Sequence, residues 1–368
     1  MVTGSGGDER GVRATLKDIA REAGVSLSTA SRVLSRARSG GSVDTPIAAR
    51  VVAVAAELKY EPNLFAASLR TNRTHMLGVL VPHLTDVVLS TIYEGIDARA
   101  SAAGYQTVVA NTMDDPRERR LRAERLLHRG VDGLVFGDAQ VDDRFLDDLA
   151  RRGVPFVLVS RRHPPYDSAT CDDSAGGRLV GNHLADLGHR EIAIIAGQPY
   201  ASTGIDRTEG CLAALGERGV DVPPARIAHS GFDPESGHLA ARRLMLAATP
   251  PTAIFAVNDM TAIGAIGALR DLGYTAGRDV AVVGFNDISI AADLPTPLTS
   301  VRSPLREMGS EAVRLVLQRL QQRGKEPANR APNEIRLQPQ LIVRESSDST
   351  VDSRQLRVQA AATSTEIR

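Results

Sequence analysis

TLKDIAREAGVSLSTASRVL, residues 15–34, decides how the front of this chain folds. Thr15 is followed three residues on by Asp18, the spacing of a capping box, in which each side chain answers a free backbone N–H of a helix start. Leu16, Ile19, Ala20 and Ala23 then recur at helical spacing, and Gly24 stops that helix. Ser26 can cap a second helix whose buried face is Ala30, Val33 and Leu34. Two short helices joined by a Gly-containing turn are the signature of a helix-turn-helix. A third helix is predicted at about 47–58, where Val51, Val54, Ala55 and Leu58 share a face and Pro46 fits the first turn. Three such helices enclose one small core, although periodicity alone allows any small three-helix bundle.

Beyond this head, 368 residues predict two or three domains with sizeable cores. Only Cys171 and Cys211 occur, far apart and in no CxxC pair, which argues against a disulfide framework or a zinc finger. They fit a reducing cytoplasm and read as small buried residues. No apolar run reaches the roughly 18 residues of a membrane span, and residues 1–13 hold no signal-peptide core. Those thirteen residues read as a disordered leader, and the protein is expected in the cytoplasm, at the nucleoid. Net charge is zero but uneven: residues 1–75 carry 11 Lys/Arg against 7 Asp/Glu, and the rest 33 against 37. A basic head on an acidic body suggests a polyanionic partner for the head.

From Met76 short apolar runs alternate with helical stretches. LGVLVP (77–82), YQTVVANT (105–112), GLVFGD (133–138), VPFVLVS (154–160), EIAIIAG (191–197), AIFAV (253–257) and VAVVGF (280–285) read as strands. Helices are predicted up to about residue 103 and near 118–129, 176–187, 210–218 and 262–272. Such alternation means an α/β body of parallel sheets with helices on both faces. About 270 residues exceed one comfortable core, so two lobes are expected, with a ligand cleft beyond the carboxyl ends of the strands. Acidic pairs such as Asp142–Asp143 and Asp147–Asp148 read as solvated helix faces.

The string from Thr15 to Leu34 resembles the head of LacI/GalR regulators, and LADLGHREIAIIAG (184–197), PTAIFAVNDMTAIGA (251–265), DVAVVGFNDI (279–288), PLTSVRSP (297–304) and LIVRES (341–346) resemble family segments in family order. The resemblance implies a helix-turn-helix domain at 14–62, a hinge helix and linker at 63–74, and a two-lobed, periplasmic-binding-protein-like effector and dimerisation body at 75–346. Its lobe boundaries would fall near 171 and 302, with a disordered tail at 347–368. The second helix would lie in the major groove of double-stranded DNA. Leu27 and Ser28 match the family's specificity positions, and Arg32 matches an arginine that reads a base edge, its alternative being a phosphate contact. Ser26, Thr29 and Ser31 suit phosphate contacts. KYEPNLFAASLRTNRT (59–74) matches the hinge, with Asn63, Ala66 and Leu69 as DNA contacts. Leu69 would wedge between base pairs, or else pack within an ordinary linker. Ser35 stands where the family usually has Asn, and the connection RARSGGS (36–42) is about three residues longer than usual.

Carried over residue by residue, Arg207, Asn258, Asn286, Phe232 and Ser160 become effector contacts, with structural hydrogen bonds at strand ends as the alternative. The expectation for Arg207 is that a buried arginine needs a partner, which a polar ligand would supply. One departure stands out: the stretch from His83 to Leu89, HLTDVVL, lacks the aromatic run of many sugar-responsive members and offers the Asp86 carboxylate. The ligand is therefore a sugar of the family's usual kind, something smaller or differently shaped, or absent. No catalytic, metal-binding or cofactor motif occurs, so the chain reads as a non-enzyme without cofactor. The expected assembly is a homodimer on a near-palindromic operator, since no leucine heptad follows Glu345 to support a tetramer. A transport-linked sugar-binding protein and an enzyme on a two-lobed body are the rival readings. The head opposes the first, and the missing site chemistry opposes the second.

Overall fold

The structure, a computed structural model, describes residues 14–38, 42, 44–60, 73–322 and 331–348. Residues 1–13, the hinge positions Asn63, Ala66 and Leu69, and the tail beyond 348 lie outside the described residues. The chain divides into two compact units, Met1–Thr74 and His75–Arg368.

In the first unit, α1 (Leu16–Glu22) opens with the capping box of Thr15 and Asp18. Gly24 turns the chain with φ +63°, a backbone angle that glycine adopts without steric cost. α2 (Leu27–Arg38) and α3 (Pro46–Glu57) follow, α3 capped by Thr45 with Pro46 in its first turn. Ile19, Ala20, Ala23, Ala30 and Val51 form the buried centre, with Val33, Leu34, Val54 and Ala55 packed around it. Leu58, expected on that face, is instead exposed at the end of α3, and Tyr60 packs on the core beyond it. The helix ends at Glu57, so the 3.6-residue period no longer directs the next side chain inward.

The second unit holds two six-stranded sheets. The first lobe is built on β1 (Met76–Val81), β2 (Gln106–Asn111), β3 (Gly133–Phe136), β4 (Phe156–Val159), β5 (Ser168–Cys171) and β11 (Glu334–Leu337), in the order β11-β5-β4-β3-β1-β2. The second is built on β6 (Ile192–Ala196), β7 (Ile227–His229), β8 (Ala253–Ala256), β9 (Ala281–Asn286), β10 (Thr299–Arg302) and β12 (Gln340–Ile342), in the order β12-β10-β9-β8-β6-β7. Among these pairings only β10 with β12 is antiparallel. β3, β4, β6, β8 and β9 are buried along their whole length, because helices cover both faces of a parallel sheet. Their continuous apolar runs, rather than alternating ones, follow from that double cover.

Seven helices clothe the lobes between strands: α4 (Val87–Ala102), α5 (Pro116–His128), α6 (Arg144–Arg151), α7 (Asp173–Asp186), α8 (Ser202–Glu217), α9 (Pro234–Met245) and α10 (Asp259–Asp271). α11 (Leu305–Gln322) packs on α4 and on β3, β4 and β5, so the chain returns to the first lobe after β10. It crosses between sheets three times: after Cys171, after Arg302 and between Leu337 and Gln340.

Two expectations are corrected within this unit. Asp143 is not on a solvated face: it is buried and paired with Arg119 at 2.6 Å, an arginine equally shut away from water. Of its neighbours, Asp147 accepts the Tyr166 hydroxyl at 2.5 Å and Asp148 pairs with Arg152. Ser347, placed at the start of the tail, is buried, with its hydroxyl 2.8 Å from His183 Nε2 and 2.7 Å from Thr299 Oγ1. Cys171 and Cys211 are buried free thiols, each pushed up to about 12 by burial.

Candidate functional site

Two sites emerge, one in each unit. In the head, the start of α2 gathers the candidate DNA contacts. Thr29 N–H donates to Ser26 Oγ at 3.1 Å, and Ser26 Oγ lies 2.8 Å from both Ser28 Oγ and Thr29 Oγ1. The cap thus links three hydroxyls at the end of the helix where free N–H groups and the dipole favour an anion such as phosphate. Leu27 is 46% exposed at this same end, an apolar side chain held out while Ala30, Val33 and Leu34 turn inward. Arg32 is exposed one turn further along, Ser28 is exposed beside Leu27, and Thr29 and Ser31 are half-buried. The first turns of the helix therefore present one apolar and several hydroxyl groups outward, with Arg32 and Arg36 exposed further along.

In the second unit a cavity of about 1000 Å³ opens between the two lobes, at the carboxyl ends of the strands. Asp86, Ser160, Arg207, Phe232, Asn258 and Asn286 all line it, brought together from positions 200 residues apart in sequence. Each is fixed by its local structure. Asp86 caps α4 by accepting Val88 N–H at 2.9 Å, and burial raises its carboxyl above the ordinary value against those backbone bonds. Ser160 follows β4 in the left-handed region at φ +66°. Asn258 caps α10, its Oδ1 accepting Thr261 N–H at 2.8 Å while its Nδ2 donates to the Phe232 carbonyl at 2.9 Å. That second bond ties the loop carrying Phe232 to the start of α10.

Asn286 ends β9 at φ +102°, an angle that costs free energy for a residue with a Cβ and is least costly for a short polar side chain. Its Oδ1 accepts from Arg207 Nη2 at 3.4 Å and from Ser303 Oγ at 3.2 Å. Arg207 itself has its partner inside the protein. Its Nε donates to Asp173 at 2.7 Å, its Nη1 to the Val257 carbonyl at 2.8 Å, and its guanidinium lies 3.8 Å from the Phe285 ring centroid. The expectation that a ligand must complete Arg207 is thus corrected: Asp173, the first residue of α7, already does so. Burial pushes Asp173 up to about 6 even though Arg207 pulls it down.

Sequence reading missed a second polar cluster on the cavity wall. Arg161 forms a two-pronged ion pair with Asp114 at 2.7 and 2.9 Å, and Asp114 also accepts the Tyr200 hydroxyl at 3.1 Å. Arg161 lies 5.9 Å from the Tyr200 ring and 5.6 Å from the Phe232 ring. Arg161 and Asp114 belong to the first lobe and Tyr200 and Phe232 to the second, so the cluster bridges the cleft. Next to it, Arg162 pairs with Asp206 of α8 at 2.6 Å, and its N–H donates to Ser202 Oγ at 2.9 Å. The only sequence signal for this cluster was the strand-end position of Arg161, directly after Ser160. Among the described residues no group of three or more His, Cys, Asp or Glu could hold a metal ion, and no helix is long and apolar enough to cross a membrane.

Comparison with known proteins agrees with this two-part architecture. The family model described as bacterial regulatory proteins, lacI family, matches residues 15–63, and the periplasmic binding protein-like domain matches 182–347. The HTH-type transcriptional regulator DegA of Bacillus subtilis (strain 168) is 33% identical over 341 residues, covering 91% of this chain and 98% of that protein. The HTH-type transcriptional repressor PurR of Haemophilus influenzae (strain PittEE) is 31% identical over 338 residues, covering 91% and 99%. The crystal structure of the lac repressor dimer bound to operator and the anti-inducer ONPF superposes with a TM-score of 0.80 at 27% identity, covering 92% of this chain and all of that one. With both parts of the fold matched and relatives aligned over nearly their full length, the chain belongs to the lacI family of bacterial regulatory proteins, DNA-binding regulators of transcription.

Proposed function

We propose that this chain is a cytoplasmic, homodimeric repressor whose affinity for a near-palindromic operator is set by a small molecule bound between its lobes. Residues 14–62 would read DNA, 63–74 would form the hinge, and 75–346 would dimerise and sense the effector. Leu27, Ser28 and Arg32 would face base edges, and Ser26, Thr29 and Ser31 the phosphates, with Asn63, Ala66 and Leu69 in the minor groove. One observation carries the effector half of this reading: six residues from Asp86 to Asn286 line a single interlobe cavity. The lac repressor dimer, a solved relative, was crystallised on operator with a small molecule, which supports the same arrangement here. A ligand need only bind two lobe arrangements with different affinities to shift operator binding, and that coupling is reciprocal. The chain would carry no cofactor and catalyse no reaction; its relatives are regulators rather than enzymes.

The test is selection of the purified protein on a pool of random duplexes at near-physiological salt, with sequencing of the bound fraction. A near-palindrome should be enriched, and Arg32→Ala should relax the preference at one symmetric base pair by about 1–3 kcal/mol. Weak, salt-sensitive binding without enrichment, unchanged when pooled metabolites are added, would rule the reading out.

A further inference from the structure

The charge balance of the interlobe cavity narrows what can occupy it; this inference rests on the effector reading above. Two guanidiniums line the wall, and both are answered within the protein. Arg161 is held by both oxygens of Asp114, and Arg207 by Asp173, which lies outside the lining. Two further carboxylates line the same cavity, Asp86 from the first lobe and Asp233 from the second. Among the described residues each accepts hydrogen bonds at a helix start and neither pairs with a cation. The wall therefore carries an excess of negative charge, contributed by both lobes. We infer that the effector is an organic cation whose ammonium group sits against Asp86, so that Asp86 is the residue that selects the ligand's charge.

The two carboxylates are not equivalent. Asp233 is exposed and accepts both the N–H of Ser236 at 2.8 Å and its hydroxyl at 2.5 Å. Against what burial it has, those bonds hold its carboxyl below the ordinary value. Asp233 is thus content at the rim, where its charge attracts cations toward the cleft. Asp86 is half-buried, and burial raises its carboxyl in spite of its backbone bonds, of His83 and of Arg161 nearby. Arg161 does not relieve it, because both its terminal nitrogens are committed to Asp114. A carboxylate can accept about four hydrogen bonds, so Asp86 keeps room for a ligand's donors beside Val88 N–H. An ammonium supplies three donors together with the missing charge, and such charge-assisted bonds are about twice as strong as neutral ones. A hydroxyl would bond to Asp86 but leave its charge standing in a closed cleft. A phosphate or carboxylate would meet like charge and two guanidiniums already taken, at a net cost. Val87, Val88 and Leu89 line the cavity directly after Asp86, which gives the carbon frame bearing the ammonium an apolar surface to cover.

The test uses the full-length protein and a panel in which only the charged group changes. Glucosamine, galactosamine, mannosamine, phenylethylamine and diaminobutane are each compared with the alcohol in which hydroxyl replaces the ammonium, and with glucuronate, phenylpropionate and succinate as anions. Melting temperature is read without DNA, so that binding of an amine to the duplex does not enter, and operator affinity is read separately. At least one amine should raise the melting temperature and change operator affinity, binding at least about tenfold more tightly than its alcohol. Asp86→Asn keeps a side chain that caps a helix as well as Asp does, so the free protein should melt as wild type does. Its preference for the amine over the alcohol should fall to within about threefold. Tightest binding by an alcohol or an anion would overturn the cationic class, and an amine preference that survives Asp86→Asn would overturn the role of Asp86; either leaves the effector reading intact. If every amine is silent while a pool of metabolites still changes operator affinity, the class alone falls. If the pool is silent too, the effector reading falls with it and sequence-selective DNA binding stands alone.

Discussion

Arg207 and Asp173 meet at 2.7 Å with both side chains buried, and the guanidinium pulls the Asp173 carboxyl down against the upward push of burial. Replacing Arg207 by Ala leaves a carboxylate in a dry site, a change that typically costs about 3–5 kcal/mol. Asp173 titrates near 6 in the folded protein against 3.8 for an ordinary aspartate, so its contribution is fullest in acid and is lost as pH rises through that value. Without Arg207 the loss should deepen and extend to higher pH. Urea melts at pH 5 and pH 8 should therefore show Arg207→Ala far closer to wild type in acid; equal deficits at both would refute the pairing. Asp259 makes a cleaner case, because its contacts are the Ser300 hydroxyl at 2.5 Å and Ile288 N–H at 2.8 Å, not a cation. Burial pushes it up to about 7, so the wild type should lose stability, on the order of a few kcal/mol, as pH rises from about 4 to 7. Asp259→Asn keeps an acceptor for Ile288 and should flatten the pH dependence of the melting temperature across that interval. A slope as steep as wild type would assign the effect to another group. At this scale, which residues could meet in the cleft was legible wherever a local motif carried them, as in VND for Asn258 or GFND for Asn286. Asp114, Arg161 and Tyr200 were not, because their grouping joins residues 47 and 86 positions apart, and no local pattern encodes that.

Helices in the body pack closer than side chains usually allow, and glycine sets the distance. A Cβ on Gly177 of α7 would fall inside van der Waals contact with the Arg207 carbonyl of α8, and one on Gly210 would do the same to the Ser174 carbonyl of α7. This reciprocal crossing brings Asp173 and Arg207 within reach of each other. Gly177→Ala should thus cost about 1–3 kcal/mol through forced separation, and also weaken effector response by displacing Arg207. Measured together, a stability loss with unchanged response would mean that the site tolerates the shift. The same glycines explain what the periodicity hid. α8 begins at Ser202, well before the predicted start at 210, because Gly204 and Gly210 lower its helix propensity and its N-cap, Ala201, offers no side-chain bond. α9 and α11 were not predicted, although Asp233 and Pro234 form a standard cap and first turn for α9, and α6 was implied only by the acidic pairs read as helix faces. β5 (SATC) and β7 (IAH) lack the apolar run that marks β3, β4 and β8, which are equally short or nearly so. The apolar strands and the head helices were legible because burial on both faces, or on one helical stripe, writes a run or a period directly into sequence.

At the scale of the sensor body, two lobes share three chain crossings and a cleft, and the side-chain ties across that cleft decide how freely they move. Arg162 follows β4 in the first lobe, Asp206 lies on α8 in the second, and their ion pair is only partly exposed. Ser202 reinforces it by accepting Arg162 N–H, and Tyr200 reaches Asp114 beside it. These contacts tie the two lobes together across the cleft, so they favour one arrangement of the lobes, as a ligand touching both would. Cutting them should therefore penalise ligand binding even though neither Arg162 nor Asp206 lines the cavity. A half-buried pair of this kind contributes on the order of 1 kcal/mol, so Asp206→Ala should weaken effector binding by roughly fivefold. It should also increase the radius of gyration of the free body in small-angle scattering, with the two proteins converging once ligand is saturating. Linkage adds a second requirement: the factor by which ligand changes operator affinity must equal the factor by which operator changes ligand affinity, in wild type and variant alike. If Asp206→Ala weakens ligand binding but leaves the free body as compact as wild type, the ion pair acts by shaping the pocket rather than by holding the lobes. If it alters neither, closure is carried by Arg161, Asp114 and Tyr200, and the same measurements on Tyr200→Phe, which removes one hydroxyl, should then show the change.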